Sequence, residues 1–218
     1  RTLYYGGNKQ TMGAFRVLKA DGDMLYGLTE CLASGQNPKP GAIMEIDISN
    51  PSAPHVISAK QIQYNAVDGT RYAMFSEMEI YGKSIYISVA DGQKIQGGSE
   101  KVNGLWHYDM QTKDCTYLDL SGAYEGKRVN RIFINGDILY MPSQDAKSIR
   151  IFDLSGGAPV FIRKETIPEI YVGMSFCGFP DNMFLIRIND ASGTLLLYRS
   201  KKKKKIKNED LPPVIWRN

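Results

Sequence analysis

Few residues in this sequence belong to the usual catalytic repertoire. Among 218 residues only two are histidine, His55 and His107, and three are cysteine, Cys31, Cys115 and Cys177. The cysteines lie far apart with no C-x-x-C pair, which excludes a zinc ribbon and a thioredoxin-type motif. Each sits among apolar, strand-like residues, where a buried free thiol is the expected state and a bridge such as Cys31–Cys115 the alternative. Two histidines without an H-E-x-x-H motif or a cluster supply no set of ligands for a catalytic metal. A Walker loop and a dinucleotide fingerprint are also missing, so neither metal nor cofactor is expected. No run of about 18 apolar residues exists, and no transmembrane segment is expected. Arg1 opens the sequence without an initiator Met, a charged n-region or an apolar h-region, so a processed or truncated chain is expected, with any export signal outside it.

A large charge of one sign is lacking too. Lys and Arg number 27 against 23 Asp and Glu, a net of +4. Six of the lysines fall in one stretch, Lys201 to Lys205 and Lys207; without them 21 basic residues face 23 acidic, a net of −2. The body of the chain is therefore near neutral, which argues against nucleic acid as a partner. The tract itself has three readings: a phosphate or anionic-lipid site, a base-binding site, and a solvated hairpin tip. No aromatic residues interleave with the lysines, so base stacking has no platform. The solvated turn is the preferred reading, with its charge guarding against edge pairing.

What the sequence does contain is a repeat. Gly22-Asp23-Met24-Leu25-Tyr26, Gly82-Lys83-Ser84-Ile85-Tyr86, Gly136-Asp137-Ile138-Leu139-Tyr140 and the weaker Asp181-Asn182-Met183-Phe184-Leu185 share a tight turn followed by a β-favouring strand. Their starts are 60, 54 and 45 residues apart. A strand precedes each marker, as in Phe75 to Ile80 and Val129 to Ile134. A third strand follows it: Gly41 to Asp47, Gly104 to Asp109, Ser148 to Asp153, and Gly193 to Tyr198. A polar turn then leads to a fourth strand, as in His55 to Ser58 and Val160 to Arg163. Four strands per unit, four units, and no helical spacing of apolar residues predict an all-β chain: a β-propeller of four-stranded antiparallel blades. About four blades are visible, as a closed ring or as part of a larger one. A sandwich is the poorer alternative, because sandwiches do not repeat one four-strand unit. Residues 1–218 are read as one propeller domain or propeller fragment. The spare strand-like pieces Thr2 to Tyr5 and Val214 to Trp216 are expected to pair with an incomplete blade, since an open sheet edge is a liability.

The run from Gly41 to Ile57 carries a family resemblance. There a strand ending Glu45-Ile46-Asp47-Ile48-Ser49 enters Asn50-Pro51-Ser52-Ala53-Pro54 before the next strand. The unit resembles the LVIVD-type repeats of bacterial propeller proteins. Between about Gly13 and Tyr198 the chain is also similar to TolB-like and other six-bladed propellers of bacterial envelopes. The resemblance implies fold far more than function. It also implies an exported protein, in the periplasm or on the cell surface.

Asp47, Asp109 and Asp153 occupy one repeat position. They read as turn residues whose carboxylates bind local backbone NH groups, in preference to a carboxylate cluster for glycoside chemistry. Gly173-Met174-Ser175-Phe176-Cys177-Gly178 is one residue too long for a nucleophile elbow and lacks the helix that should follow. Binding is the better expectation, through the loops joining second and third strands, 31–41, 90–104, 142–148 and 189–193, the first two being long and polar. These open at the end where the inner strands begin. Arg16, Ser76 with Glu77, Asn130 with Arg131, and Ser175 are expected to ring the channel mouth there. The plainer reading is that they are solvated strand ends. A protein or glycan partner is expected, with a polysaccharide-acting enzyme, glycosidase or lyase, as the alternative and an envelope-complex scaffold as a third reading.

Overall fold

The computed structural model describes residues 15–29, 41–61, 63–66, 69–94, 104–118, 120, 131–143, 148–166, 175–179, 183–187, 195–199 and 202–206. The end pieces 2–5 and 214–216 lie outside them. All elements are strands, and the chain divides into two compact units, Arg1–Ile132 and Phe133–Asn218.

The first unit holds two sheets. In the first, β1 (Phe15–Asp21), β2 (Met24–Thr29), β3 (Ala42–Asp47) and β4 (His55–Gln61) lie in chain order, each antiparallel to the next. The second contains β5 (Gln63–Ala66), β6 (Gly69–Tyr81), β7 (Ser84–Lys94), β8 (Gly104–Asp109) and β9 (Cys115–Leu118), again in order. The second unit repeats the four-strand meander twice. Its sheets are β10 (Phe133–Asn135) to β13 (Val160–Thr166), through β11 (Ile138–Ser143) and β12 (Ser148–Asp153), and β14 (Ser175–Phe179) to β17 (Lys202–Ile206), through β15 (Met183–Arg187) and β16 (Leu195–Arg199). This is the propeller-blade pattern that the repeat predicts.

Local chemistry explains the first hairpin of the first three blades. Asp21 pairs with Met24, Tyr81 with Ser84 and Asn135 with Ile138, so each turn has two residues. Gly22, Gly82 and Gly136 adopt φ of 57°, 58° and 56° at the first turn position, where a glycine enters the left-handed region without steric cost. A further repeated bond fixes the turn to the third strand. The carbonyls of Asp23, Lys83 and Asp137 accept from the backbone NH of Ile48, Met110 and Leu154 at 2.8–2.9 Å.

The first unit's core joins its two blades. Tyr26, Leu28 and Ile43 from the first pack with Met78, Ile85, Ile87, Val89, Trp106, Tyr108 and Met110 from the second. In the second unit Leu139, Tyr140, Met141, Ile149, Ile151 and Phe152 are buried.

Two expectations need correction. Residues 90–104 are not a loop throughout: β7 runs on to Lys94, because β6 starts at Gly69 rather than Phe75 and pairs with it from Arg71↔Lys94 to Met74↔Asp91. The lysine tract is likewise no solvated turn. Lys202–Ile206 form β17, paired with β16 from Arg199↔Lys202 to Leu195↔Ile206, which supplies the fourth blade's regular outer strand. An outer strand needs only one paired edge, and consecutive lysines there discourage pairing with another chain.

Candidate functional site

Each blade's repeat marker provides a ruler. Arg16, Ser76, Asn130 and Ser175 stand six residues before Gly22, Gly82, Gly136 and Asp181. In β1, Phe15 pairs with Thr29 and Val17 with Leu28, so the register shifts by one residue at Arg16. In β6, Phe75 pairs with Val89 and Glu77 with Ser88, which leaves Ser76 in the same position. Two blades thus carry a β-bulge at one repeat position, near the start of the strand, a device that bends the strand and re-aims its side chains. Ser175 opens β14 in a regular pair with Arg187, and Asn130 lies outside the described residues.

Immediately past the bulges the inner strands carry charge. β1 lies beside β6, and Lys19 Nζ donates to Glu79 Oε1 at 3.1 Å. Two residues before Glu79 on the same strand, Glu77 forms an ion pair with Arg131. Both bonds join positions one repeat apart: 60 residues for Lys19–Glu79 and 54 for Glu77–Arg131. Glu77 also accepts from the Met78 backbone NH at 3.3 Å, and its carbonyl accepts from Ser88 Oγ at 3.4 Å. Burial raises the Glu79 carboxyl above its ordinary value, an effect opposed by Lys19 and reinforced by the neighbouring Glu77. Alternation along a strand places Glu77 and Glu79 on one face, two neighbouring carboxylates flanked by one cation each.

The structure therefore brings together Glu77 and Arg131, with Ser76 beside them, and sets Arg16 on the neighbouring blade. Lys19 and Glu79 escape a reading of residue types alone. Their signal is opposite charge at equal distances before successive markers. The second-to-third-strand loops 31–40, 95–103, 144–147 and 188–194 lie outside the described residues.

The remaining polar groups have structural partners. Asp47 Oδ1 accepts from Ser49 NH at 2.7 Å, Asp109 Oδ1 from Gln111 and Thr112 NH at 2.7 and 3.0 Å, and Asp153 Oδ1 from Ser155 NH at 2.8 Å. Hydrogen bonds from the turn hold all three carboxyls below their ordinary values, the Ser49 side chain and then its backbone NH at Asp47, backbone NH groups foremost at Asp109 and Asp153. Glu45, buried in β3, accepts from Tyr108 Oη at 2.9 Å and from Lys113 Nζ at 2.7 and 2.8 Å, which ties the two blades of the first unit together. His107 Nε2 lies 2.8 Å from Ser84 Oγ, at the turn end of the blade, opposite the end where the bulges sit. Burial lowers the His107 pKa. Cys115 is a free thiol, pushed up to about 12 by burial and so unreactive. Among the described residues no cluster of His, Cys, Asp and Glu is arranged to hold a metal, and no helix is long and apolar enough to cross a membrane.

No protein-family model matches the chain, and no curated protein compared with it matches either. Solved structures do. The chain is similar to a candidate 6-phosphogluconolactonase from Bacteroides fragilis NCTC 9343, at 12% identity and a TM-score of 0.55 over 89% of this chain and 57% of that one. It is similar to the extracellular domain of a candidate one-component system from B. thetaiotaomicron, at 12% identity and a TM-score of 0.56 over 100% of this chain and 24% of that one. Hsv2 from Kluyvelomyces marxianus gives 10% identity and a TM-score of 0.48 over 92% and 53%. The chain thus spans little more than half the length of the first of these structures and about a quarter of the second. At such identity the likeness concerns fold alone. The fold is an all-β propeller of four-stranded antiparallel blades.

Proposed function

We propose that this chain is a non-catalytic propeller, or part of a larger one, that binds a protein or glycan partner at the end where its inner strands begin. The observation that carries the reading is the bulge repeated at Arg16 and Ser76, with Glu77 and Arg131 paired beside it. A bulge interrupts the ladder to present side chains, and two blades do so at one level. Arg16, Ser76, Glu77, Asn130, Arg131 and Ser175 are the proposed contacts, together with the second-to-third-strand loops. Residues 1–218 form one propeller domain or fragment of the LVIVD or TolB-like kind. Its place is the bacterial periplasm or cell surface, a reading supported by the extracellular-domain neighbour.

The second reading is an enzyme acting on polysaccharide at the same end. One observation favours it: Glu77 and Glu79 share a strand face, and the Glu79 carboxyl is raised by burial, as a general acid requires. Both carboxylates, however, are bound to a cation, which suits a fixed surface better than proton transfer. The test is to immobilise the chain, expose it to envelope protein extracts and a glycan panel, and repeat with Arg16→Ala, Glu77→Ala and Arg131→Ala. At least a tenfold loss of affinity is expected. Unchanged affinity in all three removes the channel-mouth reading, and release of reducing ends that disappears in Glu79→Gln favours the enzyme.

A further inference from the structure

Three of the six large apolar side chains exposed among the described residues stand in one run. They are Val160, Phe161 and Ile162, at the start of β13, the outer strand of the third blade. Phe15, Leu18 and Ile57 are the others, on β1 and β4. The turn before β13 lengthens the run. Ser155, Gly156, Gly157 and Ala158 are exposed, and no charged residue occurs from Ser155 to Ile162. A contiguous apolar stretch on a surface marks a place of contact.

Charge follows it directly. Lys164 is exposed, and Arg163 pairs with Glu165 at 2.7 Å. β10 lies beside β14, so the third and fourth blades are neighbours, and β13 and β17 are successive outer strands of the second unit. Four of the five residues of β17 are lysine. Between Phe133 and Asn218, 13 basic residues face 9 acidic ones, a net of +4 that is the whole excess of the chain. The first unit is neutral, with 14 of each. The apolar run therefore lies on the outer edge of the one positively charged unit.

We propose that the β13 rim of the second unit attaches to the surface of an anionic lipid bilayer. This goes beyond the binding proposed above, which uses inner strands. An apolar segment and a basic one together supply the two weak signals that peripheral attachment needs. Each basic residue near an anionic surface adds about fivefold in affinity. Each apolar side chain gains by leaving water for the boundary between headgroups and acyl chains. Side chains project from both faces of a strand, so a flat surface against its free edge meets Val160, Phe161 and Ile162 alike. The contact is shallow, because the unpaired backbone groups of that edge need water or headgroup oxygens as partners. A protein strand would satisfy them too, but a specific one needs a long regular edge. The register of β13 on β12 shifts at Ile162, inside the exposed run, which leaves only weak pairing between copies.

The experiment is cosedimentation of the whole chain with vesicles of phosphatidylcholine, alone or mixed with phosphatidylglycerol. Binding to the anionic vesicles is expected at least tenfold tighter than to the neutral ones, and raised salt should weaken it at least fivefold. The pair Val160→Ser with Ile162→Ser should reduce it at least tenfold, and Lys164→Glu at least fivefold. Ile57→Ser, which removes an exposed isoleucine of the neutral unit, should leave it within twofold. Thermal unfolding of each variant separates loss of binding from loss of fold. In Val160→Trp, the fluorescence added to that of the parent should shift to the blue on anionic vesicles. No binding to anionic vesicles overturns the proposal, as does equal binding to neutral ones. So does displacement by free glycerol phosphate, which would mean a headgroup pocket. Attachment that survives Val160→Ser with Ile162→Ser would assign it to the lysines alone, and loss of a protein partner in that variant without vesicle binding would make β13 a protein interface; either result also overturns it.

Discussion

Lys19 and Glu79 stand 60 residues apart in the chain and 3.1 Å apart in space, joining the first strands of two successive blades. Glu79 is mostly buried, at 18% side-chain exposure, and its carboxyl is raised mainly by that burial. A group whose folded pKa lies above its unfolded one favours the folded state fully below the ordinary carboxylate value, and loses that contribution as pH rises through the folded pKa. Lys19→Ala removes the group that opposes the shift. It should cost about 1–2 kcal/mol at pH 7, between an exposed and a buried pair, and less at pH 4. Glu79→Gln should gain on the parent protein as pH rises from 4 to 7. Urea denaturation at both pH values checks the sign, and an equal Lys19→Ala cost at both would rule out the buried carboxylate as its origin.

Glu45 presents a sharper case, because the carboxylate is almost wholly buried while its partner Lys113 is half exposed. Removing the cation strands the charge, so Lys113→Met should cost about 3–5 kcal/mol. Adding Glu45→Gln should recover a large part of that loss, since no buried charge then remains. Chemical denaturation of the two single variants and the double variant closes the cycle. Additive costs would show that the pair is not coupled.

Much of this architecture was readable from the repeat, because turn chemistry and alternation act locally. Gly22, Gly82 and Gly136 mark real hairpins, and Asp47, Asp109 and Asp153 cap turns. The misreadings have a physical pattern. Lys202–Ile206 has poor strand composition, yet it is a strand because β16 offers a free edge in register, and tertiary pairing overrides propensity. The extension of β6 and β7 was hidden because Gly69 and Gly92 resemble loop residues, although Gly69 pairs with Ala66 of β5 and Gly92 with Ala73 of β6. Among the site residues, Arg16 and Ser76 were found by position alone. That both are bulges depends on pairing with Leu28, Thr29, Ser88 and Val89, which no single-strand pattern contains.

The first hairpin turns yield a direct test. Gly82 has φ of 58° and open space where a Cβ would stand, so substitution there meets backbone strain and no clash. Gly82→Ala should cost about 1–2 kcal/mol. Gly82→Asn should cost clearly less, because asparagine enters the left-handed region more readily. Thermal unfolding of both variants checks the order, and equal losses would implicate something other than φ.

The three capping aspartates set an acid limit of their own. Their carboxyls are lowered by hydrogen bonds from the turn, the Ser49 hydroxyl foremost at Asp47 and backbone NH groups foremost at Asp109 and Asp153, so their contribution is present above the ordinary aspartate pKa and fades as pH falls through the lower folded values. The triple variant Asp47→Asn, Asp109→Asn, Asp153→Asn should therefore lose less stability than the parent between pH 4.5 and pH 2.5. Denaturant midpoints across that window decide the matter. Parallel curves for the two proteins would place the acid sensitivity elsewhere.

Two outer strands manage their free edges differently. β17 is guarded by lysines, whereas β13 exposes Val160, Phe161 and Ile162 at 60%, 41% and 44%. Phe161 stacks edge-on against Phe152, which gives it a role within its sheet; Val160 and Ile162 lie on either side of it. An apolar outer strand paired on one side alone is a template for another chain, and charge is the usual remedy. Ile162→Lys should therefore raise the concentration at which the protein begins to self-associate, with stability changed by no more than about 0.5 kcal/mol. Light scattering against concentration, read beside thermal unfolding, is the measurement. An unchanged onset would mean that β13 is not where copies meet, and a large loss of stability would mean that Ile162 supports the blade from its outer edge.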